Sequence, residues 1–275
     1  WKEMEFHCVK LEEVCRQKDA EFLGILNDIK YGRNLQNVIA YLESNQSSDL
    51  MEEAPYLVGT NAKADKINQA HMRALDEKTE KKFWAIIEGD VTYEDIKNIS
   101  FAKQSLVVNV GAKVMLTAND ANGEYVNGTM GTIIDISKER GDATCIQVLT
   151  DKGKKVDVYR YEREIERQDI EESKEKDKNG ETVIVKKIVR KIVGSFKQFP
   201  IKIAWAMSIH KSQGQTFGQV NIDPRCWDSG QFYVAVSRAE SVAGIHFMDL
   251  IRKQYIRTLS DEVIKILKES LYSII

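Results

Sequence analysis

Through the first forty positions apolar residues recur three and four apart. Val9, Leu11 and Val14 are followed by Phe22, Leu23, Ile25, Leu26 and Ile29, then by Leu35, Val38, Ile39 and Leu42. That spacing lays one buried face along a helix and predicts helix over 9–43, with Gly32 as a break. The polar run 45–49 reads as a loop. Tyr56-Leu57-Val58 reads as a short apolar strand entering Gly59-Thr60-Asn61, and Ala64, Ile67, Ala70, His71 and Ala74 predict a helix over 62–77. A strand, a turn and a helix in that order form an α/β unit. From about 105 to 199 the pattern shortens. The segments 106–108, 113–116, 131–136, 145–149 and 154–158 are β-branched and punctuated by Asn122-Gly123, Asn127-Gly128, Gly141-Asp142, Lys152-Gly153 and Asn179-Gly180, the texture of a small barrel. Residues 162–180 are charge-dense and read as a solvated loop or the tip of a long hairpin. After Pro200 the α/β pattern returns. Strands are predicted at 201–206, 219–222 and 244–248, a polar turn at 209–217, a helix at 231–239 and an amphipathic helix over 249–275. The pattern therefore predicts an α/β domain in two pieces, 1–105 and 200–275, interrupted by a β insertion at 106–199.

Composition narrows this little. The chain has 275 residues, 40 Lys plus Arg against 42 Asp plus Glu, and a net charge of −2. Any nucleic-acid contact must come from local patches. With 43% hydrophobic and 30% charged residues it suits a globular domain rather than a disordered chain. No apolar run approaches the ~18 residues of a membrane helix, so no membrane partner is expected. The start at Trp1, without a signal-like apolar stretch or an initiator Met, reads as a fragment or a processed chain. The four cysteines (8, 15, 145, 226) lack CxxC spacing and read as idle or buried thiols of a reducing compartment. The four histidines are scattered without HExxH, so no metal site is expected.

The chemistry concentrates late in the chain. No G-x-x-x-x-G-K-[ST] phosphate loop occurs, and no convincing acidic pair follows an apolar strand, so the chain alone is expected not to hydrolyse nucleotide. Two segments draw attention. "AWAMSIHKSQGQTF" (204–217) packs small hydrogen-bonding groups around Gly214 at a strand end, which suits either an anion-holding turn or a polar αβ connection. Gln231–Ala239 is mostly apolar but ends in Arg238, a cation that needs an anionic partner, whether a structural carboxylate or a phosphate.

Together these two segments resemble motifs V and VI of superfamily 1 helicases, nearest the Pif/RecD-like subgroup. Leu11–Asp19 with Phe22-Leu23 is similar to the motif IV neighbourhood and its Arg-Gln pair. Tyr56–Asn61 with Ile67-Asn68 is similar to the strand–helix step that follows, and "VGAKVMLTANDANGEYVNGTMGTI" to the segment opening an inserted barrel. The resemblance covers most of 5–250. It implies a RecA-like domain of the P-loop NTPase type, domain 2A, without its own P-loop, and an inserted SH3-like domain, 2B. The N-terminal domain 1A, with P-loop and Walker B acid, is missing. It further implies ATP and Mg²⁺ in the full-length protein with none bound to this part, and single-stranded DNA and domain 1A as partners. The site would be cytoplasmic, or nuclear or mitochondrial in a eukaryote, and translocation 5′ to 3′.

By resemblance Arg16 and Arg238 are arginine fingers toward a γ-phosphate, a role suited to a planar, always-charged guanidinium. Gln17, Gln213, Gly214 and Gln215 line the nucleotide side. Thr60, Asn61, His210, Lys211 and Ser212 face the phosphates of the strand. Asn119, Tyr125 and Asn127 are further candidates at the 2A–2B junction, Tyr125 equally readable as barrel core. The acid-free stretch 186–202, with Lys186, Lys187, Arg190, Lys191, Lys197 and Lys202, reads either as a channel lining or as a solvated hairpin face. The rivals to a helicase half are a stand-alone nucleic-acid-binding or adaptor module and a RecD-like nuclease subunit, though no nuclease carboxylate cluster is visible.

Overall fold

The computed structural model describes residues 8–10, 17–97, 99, 103–138, 144–176, 182–258, 262, 265 and 272–274. In chain order the elements are β1 (Cys8–Lys10), α1 (Ala20–Tyr31), α2 (Leu35–Asn45), β2 (Tyr56–Val58), α3 (Asn61–Arg73), β3 (Lys81–Trp84), β4 (Ile86–Gly89), α4 (Tyr93–Ile96), β5 (Ser105–Val108), β6 (Lys113–Leu116), β7 (Met130–Lys138), β8 (Thr144–Thr150), β9 (Lys155–Val158), β10 (Tyr161–Lys176), β11 (Thr182–Gln198), β12 (Ile201–Ile203), β13 (Ala206–Ser208), β14 (Val220–Ile222), α5 (Gln231–Val236), β15 (Ile245–Phe247) and β16 (Tyr272–Ile274). They divide into an α/β unit, residues 1–70 with 205–275, and a β-rich unit, residues 71–204.

The α/β unit is built on a parallel four-stranded sheet in the order β13-β2-β14-β15. Its strands are three residues long and mostly apolar, and every residue of β2, β13 and β14 is buried, as expected of parallel strands covered on both faces. Tyr56, Val58 and Ala206 pack with Ala64 of α3 in one cluster. Phe22, Ile25, Leu26 and Ile29 of α1 and Val38 and Leu42 of α2 are also buried. The helix predicted over 9–43 starts only at Ala20, because the Asp19 carboxylate caps the amides of Glu21 and Phe22. Gly32, at φ 68°, ends α1 as predicted. Residues 8–10 are instead a strand, parallel to Tyr272–Ile274, so both ends depart from the helices expected there. Within 249–258 only a 3₁₀ turn, Lys253–Tyr255, forms. Ile251 and Ile256 are the buried anchors, and their spacing of five does not fit a helical face. Beyond it Glu262 and Lys265 are helical, as expected, and the other residues of 259–271 lie outside the described residues.

The β-rich unit carries a five-stranded antiparallel sheet, β12-β6-β7-β8-β9, with alternating burial in β6 and β9. It also carries the two-stranded β3-β5 and the three-stranded β10-β11-β4. β10 and β11 form a hairpin of 16 and 17 residues, so the charge-dense segment from 162 is a strand up to Lys176. At its base Gly194 faces Gly89 of β4, and neither position has room for a side chain: a Cβ on Gly194 would strike the Glu88 carbonyl, and one on Gly89 the Val193 carbonyl. The run 201–206, predicted as one strand, is two. Ile201–Ile203 pairs with β6, Ala206–Ser208 pairs with β2, and the ladder changes partners at Ala204-Trp205. The turns Gly141-Asp142 and Asn179-Gly180 lie outside the described residues.

Candidate functional site

In an open parallel sheet the ends of the strands expose a row of loops where ligands bind. Here the register Ser208↔Val58 sets the turn after β13 beside the turn after β2, and Ile222↔Leu57 sets the loop after β14 on the other flank. Thr60 accepts the Ala64 amide on its carbonyl (3.2 Å) and the Lys63 amide on its hydroxyl (3.3 Å), capping α3. Thr60 and Asn61 are exposed, as are His210 and Lys211 on the neighbouring turn. Ser212 is fully buried, and its hydroxyl donates to the Ile209 carbonyl at 2.7 Å, fixing the turn rather than pointing outward. Asn68 clamps the outer edge of β13: its Oδ1 accepts the Ala206 amide and its Nδ2 donates to the Ala206 carbonyl, both at 2.8 Å.

A second cluster joins the end of this turn to α5. Phe217 donates its amide to the Arg238 carbonyl (2.9 Å) and accepts the Glu240 amide (3.1 Å). Arg238 is 9% exposed. Its Nε donates to the Val234 carbonyl (3.0 Å), one terminal nitrogen to the Gln215 carbonyl (3.3 Å) and the other to the Ser237 hydroxyl (2.9 Å). Gln17 is buried, and its amide nitrogen donates to the carbonyls of Ser237 (3.0 Å) and Ala239 (2.9 Å), the residues flanking Arg238. Gln17, Gln215 and Arg238 thus meet, with Gly214 at φ 86° and exposed Gln213 beside them. Arg16 lies outside the described residues.

The loop after β14 holds groups that the sequence reading passed over. Asp223, 2% exposed, is paired with Lys63 and with Arg225, whose Nε lies at 2.9 Å. Burial alone would push its carboxyl up; the hydrogen bonds from Lys63 and Arg225 outweigh this and hold it below the usual range. Burial, with Asp223 adding to it, pushes the adjacent Cys226 thiol up to about 12, so it is no nucleophile at neutral pH. No His, metal ligand or aromatic motif in the sequence marks this loop. A dipeptide Asp-Pro after a strand was the one available signal.

Comparison with known proteins shows what the chain as a whole is similar to. No family model matches the chain. It is 31% identical over 251 residues to the ATP-dependent DNA helicase Pif1 of Bdellovibrio bacteriovorus, covering 90% of the chain and 51% of that protein. It is 26% identical over 253 residues to human ATP-dependent DNA helicase PIF1, covering 90% and 36%. The unliganded Pif1 from Bacteroides superposes with a TM-score of 0.72 at 27% identity, over 94% of this chain and 56% of that one. The chain resembles the C-terminal half of a Pif1-like helicase. It spans about half the length of the bacterial Pif1 relatives it matches. Bacteroides Pif1 has been solved in complex with ADP-AlF4 (TM-score 0.70, 27% identity, 94% of this chain and 56% of that one) and bound to single-stranded DNA (TM-score 0.65, 26% identity, 93% and 55%).

The remaining candidates lie in the β-rich unit of this Pif1-like chain. Asn119 Oδ1 accepts the Asn127 amide at 2.8 Å, closing an exposed loop after β6. Tyr125 is buried in that loop, and burial, with Asp120 nearby, pushes its phenol up to about 12. The basic stretch is largely spoken for. Lys186 pairs with Glu172 (2.9 Å), Lys191 with Asp169 (2.9 Å) and Glu171 (3.3 Å), Lys197 with Glu162 (2.8 Å) and Arg190 with Glu166 (3.8 Å). These pairs make it one side of an ion-paired hairpin, the second of the two readings the sequence left open. Among the described residues no helix is long and apolar enough to cross a membrane.

Proposed function

We propose that this chain is the second motor half of an ATP-dependent DNA helicase of the Pif1 type. In this reading the α/β unit is RecA-like domain 2A, and the inserted SH3-like domain 2B, expected over 106–199, falls within the β-rich unit 71–204. ATP and Mg²⁺ bind against an N-terminal domain 1A carrying the P-loop, and ATP supplies the phosphoryl group whose transfer to water drives movement along the strand. The observation that supports the reading best is the seating of Arg238. This residue, 9% exposed just past the end of α5, has its guanidinium held by the carbonyls of Val234 and Gln215 and the Ser237 hydroxyl, and Gln17 anchors the two residues that flank it. A cation oriented in advance stabilises charge spreading over phosphoryl oxygens without reorganising during the step. Arg16, next to the anchored Gln17, is the second finger. Thr60, Asn61, His210 and Lys211 hold the phosphates of single-stranded DNA, gripping without regard to sequence. Ser212 serves them indirectly by locking the turn through Ile209. Domain 2A alone then binds single-stranded DNA weakly and turns over no ATP, and translocation in the whole protein runs 5′ to 3′.

Arg238→Ala in the protein that includes domain 1A tests this. It is expected to lower DNA-stimulated kcat per folded molecule by about 10³-fold or more with nucleotide binding retained, a loss far beyond what the missing hydrogen bonds to Val234, Gln215 and Ser237 take from stability. Arg238→Lys is expected to restore little, because a point charge does not replace the fork. A destabilised variant with normal kcat per folded molecule would make Arg238 a packing residue. Turnover of ATP by the present chain alone, lost in Arg238→Ala, would overturn the half-enzyme reading.

A further inference from the structure

Trp227 is 58% exposed although its loop is held tightly. Its amide donates to Gln231 Oε1 at 3.0 Å, the Asp228 amide reaches the same oxygen at 3.5 Å, and Gln231 Nε2 donates to the Gly59 carbonyl at 3.1 Å. One amide side chain therefore ties the loop after β14 to the loop after β2. The edge of the indole lies against Gly59: a Cβ on that glycine would sit 3.5 Å from both Cδ1 and Nε1 of the ring and 3.4 Å from the Arg225 carbonyl. Thr60 and Asn61 follow directly. On the far side Asp223 fixes Arg225 through both its backbone amide (3.2 Å) and its Nε (2.9 Å). A large ring left in water forgoes the burial that its area would bring, and here its neighbours fix the backbone that carries it while leaving much of its surface open.

We propose that Trp227 is a base-stacking platform: a nucleobase of single-stranded DNA lies on the indole face while the adjoining phosphates are held at Thr60 and Asn61. This rests on the single-stranded DNA reading above and adds to it a contact with a base, where the other candidate residues address the backbone. Each base offers a π-face, so such a contact adds grip without sequence preference. Gly59 keeps the indole beside the phosphate turn, and Gln231 sets the spacing between the two.

The test compares an oligo-dT strand with a strand of the same length made of abasic sites, by fluorescence anisotropy over a salt series, for the wild-type chain, Trp227→Ala and Trp227→Phe. Trp227→Ala is expected to weaken oligo-dT binding about 5- to 150-fold, to leave the abasic strand's affinity and both salt slopes unchanged, and to melt at the wild-type temperature. Trp227→Phe is expected to recover most of the loss. Equal weakening on both strands, or none on oligo-dT, overturns the platform and leaves the DNA reading standing. Failure of the wild-type chain to bind either strand overturns both.

Discussion

Gln17 shows how much a single amide settles. Both of its long-range bonds go to the backbone around Arg238, so it acts on nucleotide chemistry through the geometry of the helix end. Removing it leaves two carbonyls without their donor. Gln17→Ala is expected to cost about 1–3 kcal/mol, measured by urea unfolding. Gln17→Glu is expected to be worse, because a carboxylate offers those oxygens no donor. The resemblance to superfamily 1 helicase motifs marked Gln17, Gln215 and Arg238 as one site, and the folded chain does bring them together. Type does not reveal which way a short side chain turns. Ser212 belongs to the same motif as His210 and Lys211, yet its hydroxyl faces inward. Trp227 carried no signal at all, because exposure is a property of the fold and a lone Trp in a sequence is read as core.

At the scale of elements, periodicity located the short strands β2, β5, β6, β8, β9, β14 and β15 and the helices α2 and α3 to within a few residues, and the end but not the start of α1. Apolar runs bounded by turn residues leave little choice. It failed where a boundary depends on pairing. The run 201–206 is uniformly strand-like, and only its change of partner from β6 to β2 splits it. The long hairpin was ambiguous because its facing strands pair Lys and Arg with Asp and Glu, a composition that a charge-dense sequence shares with a solvated loop. The base of that hairpin depends on two facing glycines. Gly194→Ala forces the Glu88 backbone away and is expected to cost about 1–3 kcal/mol, read as a lowered melting temperature. Gly24→Ala, in an uncrowded helical position, is expected to be neutral or stabilising in the same assay.

For the whole molecule, a near-zero net charge conceals a specific dependence on pH. The Asp223 carboxyl is depressed by Lys63 and Arg225, so its contribution is fully present above the unfolded value of about 3.9 and is lost as pH falls through the lower folded value. The melting-temperature difference between wild type and Asp223→Asn is therefore expected to be largest near neutrality and to shrink steadily below about pH 4. The division of the chain has a consequence for its birth on the ribosome. The unit 71–204 is one continuous stretch, whereas the parallel sheet draws β2 from one side of it and β13, β14 and β15 from the other. After Val58 leaves the exit tunnel, about 150 more residues must be synthesised before its neighbours exist, roughly 7–30 s at 5–20 residues per second. During that wait Tyr56-Leu57-Val58 is an unpaired apolar segment, and the contiguous domain is complete first. A nascent chain stalled just after residue 204 is thus expected to be the state in which this apolar strand is longest open to association with other chains.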